Sequence, residues 1–454
     1  MSPRKLLLLT AVVFLLFAFI VFFERKMPTT SERQSTGELH WDLPEERVVS
    51  IRLERPGSVV ELARDGEAWR LTRPAPYPAD SFVASDLARQ LARLKRVGGD
   101  SSEARPEDYG LGKPVASATI QWKDANDPQK RSTQTLEFGI DIPGTDITAA
   151  RVAGQTRVLF VPSSLAAEVK KGAADFQSKD VFGGSSFDVA RLHLERGRGH
   201  LVLAQRDGIW WMEQPLKDLA DADAASRLAG DLTGLRVVEF LAADDGSLAT
   251  WGLAPPLYRV MLSAAKGKTT TVEVGATRSD GNAVYARREG QAFTVGSSVV
   301  EELAKEAVAF RETGLVKFDR GKASALEGTF GAERLALSRG KDGGWSAGPR
   351  LALAGSVEDV MSAILDVRSN AFLEEAEARA LLARTPSASL RIVLSEGEPW
   401  EIKVFTGSGG PSALVSRRPG AFRLASDPTG NLLAAFRKAA SGLAPTPAPT
   451  ARKP

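Results

Sequence analysis

Apolar and polar residues alternate near position 50: Val49, Ile51 and Leu53 on one side, Ser50, Arg52 and Glu54 on the other. That period of two predicts a half-buried strand. The dipeptides Asp65-Gly66 and Asp207-Gly208 are hairpin turn signals. Farther on the period lengthens. Leu87, Leu91 and Leu94 stand at i, i+4 and i+7, with Arg89, Gln90 and Arg93 opposite, which predicts a helix laid on a sheet. Asp80, and later Asp221, stand where such helices should begin; a carboxylate there accepts hydrogen bonds from free backbone N–H groups and complements the helix dipole.

The same succession recurs. SIRLER (50–55) matches RLHLER (191–196), and DGEAWRL (65–71) matches DGIWWME (207–213), with Trp69 over Trp211. Residues 79–97 align with 220–238, so Leu87, Leu91, Leu94 and Val97 fall on Leu228, Leu232, Leu235 and Val238. YGLGKP (Tyr109, Gly110, Leu111, Pro114) answers WGLAPP (Trp251, Gly252, Leu253, Pro256), LEFG (136–139) answers VEVG (272–275), and AARVAGQ (149–155) answers YARREGQ (285–291). A third, divergent copy carries Trp345, then Val360, Ile364 and Val367, then apolar runs at 389–395, 401–407 and 414–420. It has ARALLARTPS (378–387) in place of the aromatic-Gly-Leu turn. A short closing helix is expected in each copy, at Ser163–Phe176, Ser297–Arg311 and Asp427–Ala440, with Ser163-Ser164 and Ser297-Ser298 as caps of the first two.

The recurring turn reads as architecture. Gly permits a backbone conformation that other residues resist, the aromatic and Leu plug the helix–sheet boundary, and Pro fixes the start of the next strand. The expected fold class is α+β: one N-terminal transmembrane helix, then three tandem repeats of mainly antiparallel sheet, each with one long and one short helix. The modules are expected at 46–184, 185–318 and 319–443.

Outside them the pattern changes. Residues 6–23, LLLLTAVVFLLFAFIVFF, hold one Thr and no charge. As a helix they span about 27 Å, close to the hydrocarbon core of a bilayer. Bulky residues continue to Phe23, unlike the small-residue end of a cleavable signal peptide, so an uncleaved anchor contacting the lipid bilayer is expected. Arg4 and Lys5 in the tail 1–5 favour a cytoplasmic N-terminus. Residues 24–45 read as a polar stalk, and 444–454, rich in Pro, Ala and Thr, as a disordered tail.

Composition narrows the chemistry. The 454 residues contain no Cys and three His, at 40, 193 and 200. Disulfides and thiolate chemistry are excluded, and His193 and His200 read as strand-face residues, no metal site being expected. With 59 basic and 56 acidic residues there is no clustered basic footprint for nucleic acid. GSGG (407–410) lacks the Lys-Ser/Thr of a phosphate loop and, like GRG (197–199), sits where a hairpin turn belongs. The Ser pairs lack a nucleophile-elbow context, and no second carboxylate recurs beside Asp80 and Asp221 as a glycosidase pair would require. Trp69, Trp211 and Trp345 are expected in the core. Arg151, Arg287 and Arg417, aligned across the copies, are the candidates for contacting an acidic partner. No catalytic, cofactor or metal residues are assigned.

An N-terminal anchor, Trp-containing hairpins, PAD (78–80), DYGLGKP (108–114) and LEFG (136–139), in this order, resemble the bacterial domain of unknown function 4340 family. The resemblance covers about residues 45–320 and, more loosely, the third copy. It implies a single-pass membrane protein, of a kind often encoded beside ABC-transporter permeases and gliding-motility-related auxiliary proteins. It brings no catalytic residues. The expected function is a non-enzymatic, extracytoplasmic scaffold anchored in the bacterial inner membrane, with permease or auxiliary subunits as partners. An envelope glycan or peptidoglycan-binding module is the alternative, and a hydrolase with an unrecognised site a third.

Overall fold

The computed structural model describes residues 38–442, apart from 40, 98–104, 125, 126, 128, 243–245 and 266. The expected tail 1–5, anchor 6–23 and C-terminal tail 444–454 lie outside the described residues, as does His40. Two compact units divide after Lys179.

The first unit begins inside the segment expected to be a stalk. Strand β1 (Glu38–Leu39) pairs antiparallel with β6 (Lys95–Arg96), and Trp41 Nε1 donates to the Leu91 carbonyl at 2.7 Å. The stalk reading is therefore corrected from residue 38 onward: one indole bond and a strand pair hold this polar stretch. The main sheet contains β2 (Val48–Arg55), β3 (Ser58–Asp65), β4 (Ala68–Arg73), β5 (Tyr77–Pro78), β7 (Ala116–Lys123), β8 (Arg131–Asp141), β9 (Ile147–Val152) and β10 (Leu159–Pro162). Its order is β10-β9-β8-β7-β2-β3-β4-β5. Two meanders thus run outward from a central antiparallel pair, β2 and β7, and helix α1 (Ser81–Ala92) carries the chain back across one face.

The second unit repeats this plan twice. Its first sheet holds β11 (Val189–Arg196), β12 (Gly199–Arg206), β13 (Ile209–Gln214), β14 (Asp218–Leu219), β15 (Val237–Phe240), β16 (Tyr258–Ala264), β17 (Thr269–Thr277), β18 (Ala283–Arg288) and β19 (Gln291–Gly296). The order is β14-β13-β12-β11-β16-β17-β18-β19-β15. The second sheet holds β20 (Ala323–Phe330), β21 (Glu333–Arg339), β22 (Trp345–Ala347), β23 (Arg350–Leu351), β24 (Ser369–Leu373), β25 (Ala388–Leu394), β26 (Trp400–Phe405), β27 (Ser412–Val415) and β28 (Ala421–Leu424). Its order, β23-β22-β21-β20-β25-β26-β27-β28-β24, is the same. The central pairs register alike, Ile51 with Ile120, Leu192 with Leu262 and Leu326 with Ile392. Each pair carries an irregularity at its start, between Val48 and Ser50, Val189 and Arg191, and Ala323 and Ala325. That bulge moves one residue to the other face, so the buried residue opening β2 is Val48 and not Val49.

The fold-class expectation needs correction. Among the described residues strand makes up 43% and helix only 23%: three antiparallel sheets with few helices. No helix among the described residues is long and apolar enough to cross a membrane; the expected transmembrane helix, at 6–23, lies outside them. The one-long, one-short rule holds for the α-helices of the second module only. In the first module the closing segment breaks into α2 (Ser163–Val169) and α3 (Ala173–Phe176). The second has α4 (Ala222–Thr233) and α5 (Ser298–Ala304). The third has α6 (Ala354–Leu365), α7 (Glu375–Leu382) and α8 (Thr429–Ala440), whose last member equals α6 in length and packs against it. The predicted stripes also outrun their helices: α1 ends before Leu94 and α4 before Leu235, and Val238 is exposed on β15.

The caps follow the sequence only in part. Asp80 accepts from the Phe82 and Val83 N–H groups at 3.0 and 3.2 Å, and Asp221 from that of Ala224 at 2.8 Å. The serine caps do not form. Pro162 precedes α2, Ser163 Oγ instead accepts from Thr148, and Ser297 makes no capping bond.

YGLGKP and WGLAPP build a corner. Gly110 and Gly252 adopt φ of +73° and +66°, and Leu111 and Leu253 are buried. Tyr109 packs edge-on to Phe160, and Trp251 stacks on Tyr285. The corner lies directly on the closing glycine of the LEFG and VEVG motifs, Gly139 and Gly275. A Cβ on Gly139 would come within 2.1 Å of the Tyr109 carbonyl oxygen, and one on Gly275 within 2.1 Å of that of Trp251. In the third module the same register position is Phe405, clustered with Ala378 and Leu381 of α7 and with Ala421.

Candidate binding cleft in the second unit

A buried ion cluster joins the second and third modules. Asp218, on β14, has no exposed surface. Its carboxylate accepts from Arg311 Nε at 2.8 Å and Nη2 at 2.7 Å, and from Arg418 Nε at 2.5 Å. Arg418 also donates to the carbonyls of Glu312 (2.7 Å) and Leu315 (3.2 Å), and to that of Gly314. The guanidinium carbons lie over aromatic rings, Arg311 over Phe372 at 3.7 Å and Arg418 over Phe422 at 4.4 Å, a favourable contact for a desolvated cation. Leu219, the next residue, belongs to the third module's hydrophobic core. β14 therefore pairs in one sheet and packs in the next module.

The tryptophan doublet on β13 divides in the same way, because successive strand residues face opposite sides. The Ala79 N–H donates to the Trp69 carbonyl, Ala220 to Trp210 and Ala352 to Trp345, at 3.0, 3.0 and 2.9 Å. The equivalent of Trp69 is thus Trp210, buried at 4% exposure. Trp211 is half-buried and packs against the third module's core. A one-residue slip in the alignment had exchanged the two.

Beside Trp211 opens a cleft of about 1000 Å³. Arg417 lines it, its guanidinium carbon 4.5 Å from the Trp400 ring centroid and 5.9 Å from that of Trp211; Arg417 adopts φ +66°. Glu213 takes Arg191 at 2.5 Å and also pairs with Arg206. The lining carries six basic and five acidic side chains (Arg191, Arg206, Lys217, Lys317, Lys322, Arg417 against Asp207, Glu213, Asp319, Glu396, Glu398). So even a balance suits a zwitterionic or mixed-charge surface better than a phosphate. Among the described lining residues there is no Ser, Thr, Cys or His, so the cleft offers no nucleophile–base pair of the usual kind.

The three candidate arginines do not come together. Arg151 Nε binds Glu137 and Arg287 Nε binds Glu273, both at 2.6 Å across neighbouring strands, so each is held by its own sheet. In the third module, Lys403 stands at the glutamate's place and faces Leu414. Arg417 falls instead at the turn position of Gly154 and Gly290, and its equivalence to Arg151 and Arg287 is corrected. Asp218, Arg311 and Arg418 were missed. The available signal was that Asp218 replaces Tyr77 at the same register position, opposite Met212 as Tyr77 is opposite Leu71.

The chain matches the family described as Domain of unknown function (DUF4340) over residues 69–247 and again over 210–386. It belongs to that family. The two matches open at Trp69 and Trp210, the pair that the backbone bonds equate. No curated protein matches. Among solved structures, a DNA polymerase sliding clamp from Pseudomonas aeruginosa with ligand is 9% identical, over 85% of this chain and 93% of that one, with a TM-score of 0.16. The DNA polymerase III subunit beta from Pseudomonas aeruginosa is also 9% identical, over 87% and 96%, with a TM-score of 0.16. Scores of that size assign neither fold nor function.

Proposed function

We propose that this chain is a non-enzymatic scaffold or accessory protein of an ABC-transporter or gliding-type envelope complex. In this reading it works at the outer face of the bacterial cytoplasmic membrane. The second and third modules present the cleft at Trp211, Trp400 and Arg417 to a permease or auxiliary subunit. The observation carrying the reading is the buried Asp218–Arg311–Arg418 cluster. Removing one partner of such a cluster costs about 3–5 kcal/mol, so the modules hold one geometry, and their cleft is a preformed surface that a partner could meet.

Affinity purification from detergent-solubilised membranes tests this. Wild-type protein should recover an identified permease or auxiliary subunit, and Arg417→Glu should lose it. Recovery of the protein alone in both cases refutes the scaffold. Half-buried Trp211 beside polar groups favours one rival, a glycan-binding module. Cosedimentation of the purified protein with isolated sacculi would replace the scaffold by that reading. A reporter fused after Pro454 and active only outside the cytoplasm is the expected result for the compartment.

A further inference from the structure

Two of the chain's three histidines meet on the outer face of the middle of the three large sheets, on β11 and β12. His193 and Glu195 lie two residues apart on β11 and therefore share a face. His200, on β12, is the direct cross-strand partner of Glu195. His193 Nε2 lies 3.4 Å from His200 Nδ1 and 3.8 Å from Glu195 Oε1. The donor atoms of all three residues lie within 4.8 Å of one another.

We propose that His193, His200 and Glu195 form a three-ligand site for a divalent transition-metal ion of the zinc type. A tetrahedral ion with metal–nitrogen and metal–oxygen distances near 2.0–2.2 Å holds its ligand atoms roughly 3.3 Å apart. The two nitrogens already stand at that spacing, and Glu195 Oε1 lies about half an ångström beyond it from His193 Nε2. Glu195 is oriented from behind, since its Oε2 takes Arg259 at 3.3 Å; outer partners of this kind fix a ligating carboxylate. His200 is exposed, which leaves the fourth position open to water. Two imidazoles and a carboxylate suit zinc, copper(II) or nickel(II), and nothing soft is present to select copper(I).

The surroundings work in both directions. Desolvation is the largest influence lowering the pKa of His193; His200 and Arg191 act in the same direction and Glu195 opposes them. Arg191 and Arg259 are the cations that an incoming ion must tolerate, and Glu195 offsets them. The grouping belongs to this sheet alone among the three. The register places Arg52, Glu54 and Val59 at the equivalent positions in the first sheet, and Glu327, Thr329 and Arg334 in the third.

The test is titration of untagged full-length protein with zinc chloride alone, followed by calorimetry and by metal analysis after dialysis. Wild type and His40→Gln should each bind one equivalent at pH 7.5. His193→Gln and His200→Gln should bind at least tenfold more weakly while keeping the wild-type melting temperature in chelator. With copper(II), the paramagnetic resonance spectrum should show two coordinated imidazole nitrogens. Three results would overturn the proposal: no saturable 1:1 binding, binding retained in the His193/His200 double variant, or binding lost with His40→Gln.

Discussion

In the first two modules Gly139 and Gly275 lie flush beneath a backbone corner, whereas Phe405 stands at that register position in the third, beneath helix α7. Where the Tyr-Gly-Leu or Trp-Gly-Leu corner exists, its carbonyl approaches so closely that no side chain fits beneath. Where the corner is absent, the same spot is open enough for an aromatic ring, and a two-turn helix covers it. The turn and the strand glycine are therefore one device, present or absent together. That accounts for the third copy's departure without any appeal to chemistry.

The largest effect should come from breaking the pairing on the glycine side. Gly275→Val forces a side chain against the Trp251 carbonyl and should cost about 5 kcal/mol or prevent folding, read from urea denaturation. Asp218→Ala removes the anion between two buried guanidiniums, and a loss of about 4 kcal/mol is expected in the second unit alone. Phe405→Ala should cost about 3 kcal/mol by opening a cavity under α7; a loss below about 1 kcal/mol would show that the ring is not the corner's substitute. The helix caps sharpen the contrast at a smaller scale. Asp80→Ala and Asp221→Ala should each cost about 1 kcal/mol. Leu353, at the uncapped start of α6, should gain several tenths of a kcal/mol when replaced by Asp.

Acidification gives the smallest effect. The pKa of His193 is lowered in the folded protein, chiefly by desolvation. The unfolded chain therefore takes up the proton first as pH falls. Stability should decline as pH drops through about 6.5, the ordinary histidine value, and level off below the folded-state pKa. His193→Gln should flatten that part of the melting-temperature profile, measured in chelator.

The threefold plan was legible because its markers are local. Asp-Gly hairpins, aspartate caps and leucine stripes act within a few residues of themselves, and each survives comparison by eye. Registers were harder to read. In the Trp210-Trp211 doublet either ring satisfies the pattern, and one residue of slip exchanges core for neighbour. A bulge did the same to Val48 and Val49. Arg417 was misplaced because Leu414 stands at the arginine's place in the third copy, so the alignment slid three residues to the next arginine although the strand registers match. The Asp218–Arg418 contact joins residues 200 positions apart and exists only once two modules have docked, so no local pattern announces it. The His193–His200 pair needed the strand register, which places one ring diagonally across from the other.

The carboxylate at position 218 also makes the copies unequal. A chimera carrying the first module's Tyr77 at that site would offer a phenol to Arg311 and Arg418, leaving two enclosed cations without a counter-ion. Shuffling the copies should accordingly fail even though their strand orders are identical: sequence order is written into the joint as an ionic key, and only the middle module carries the matching tooth.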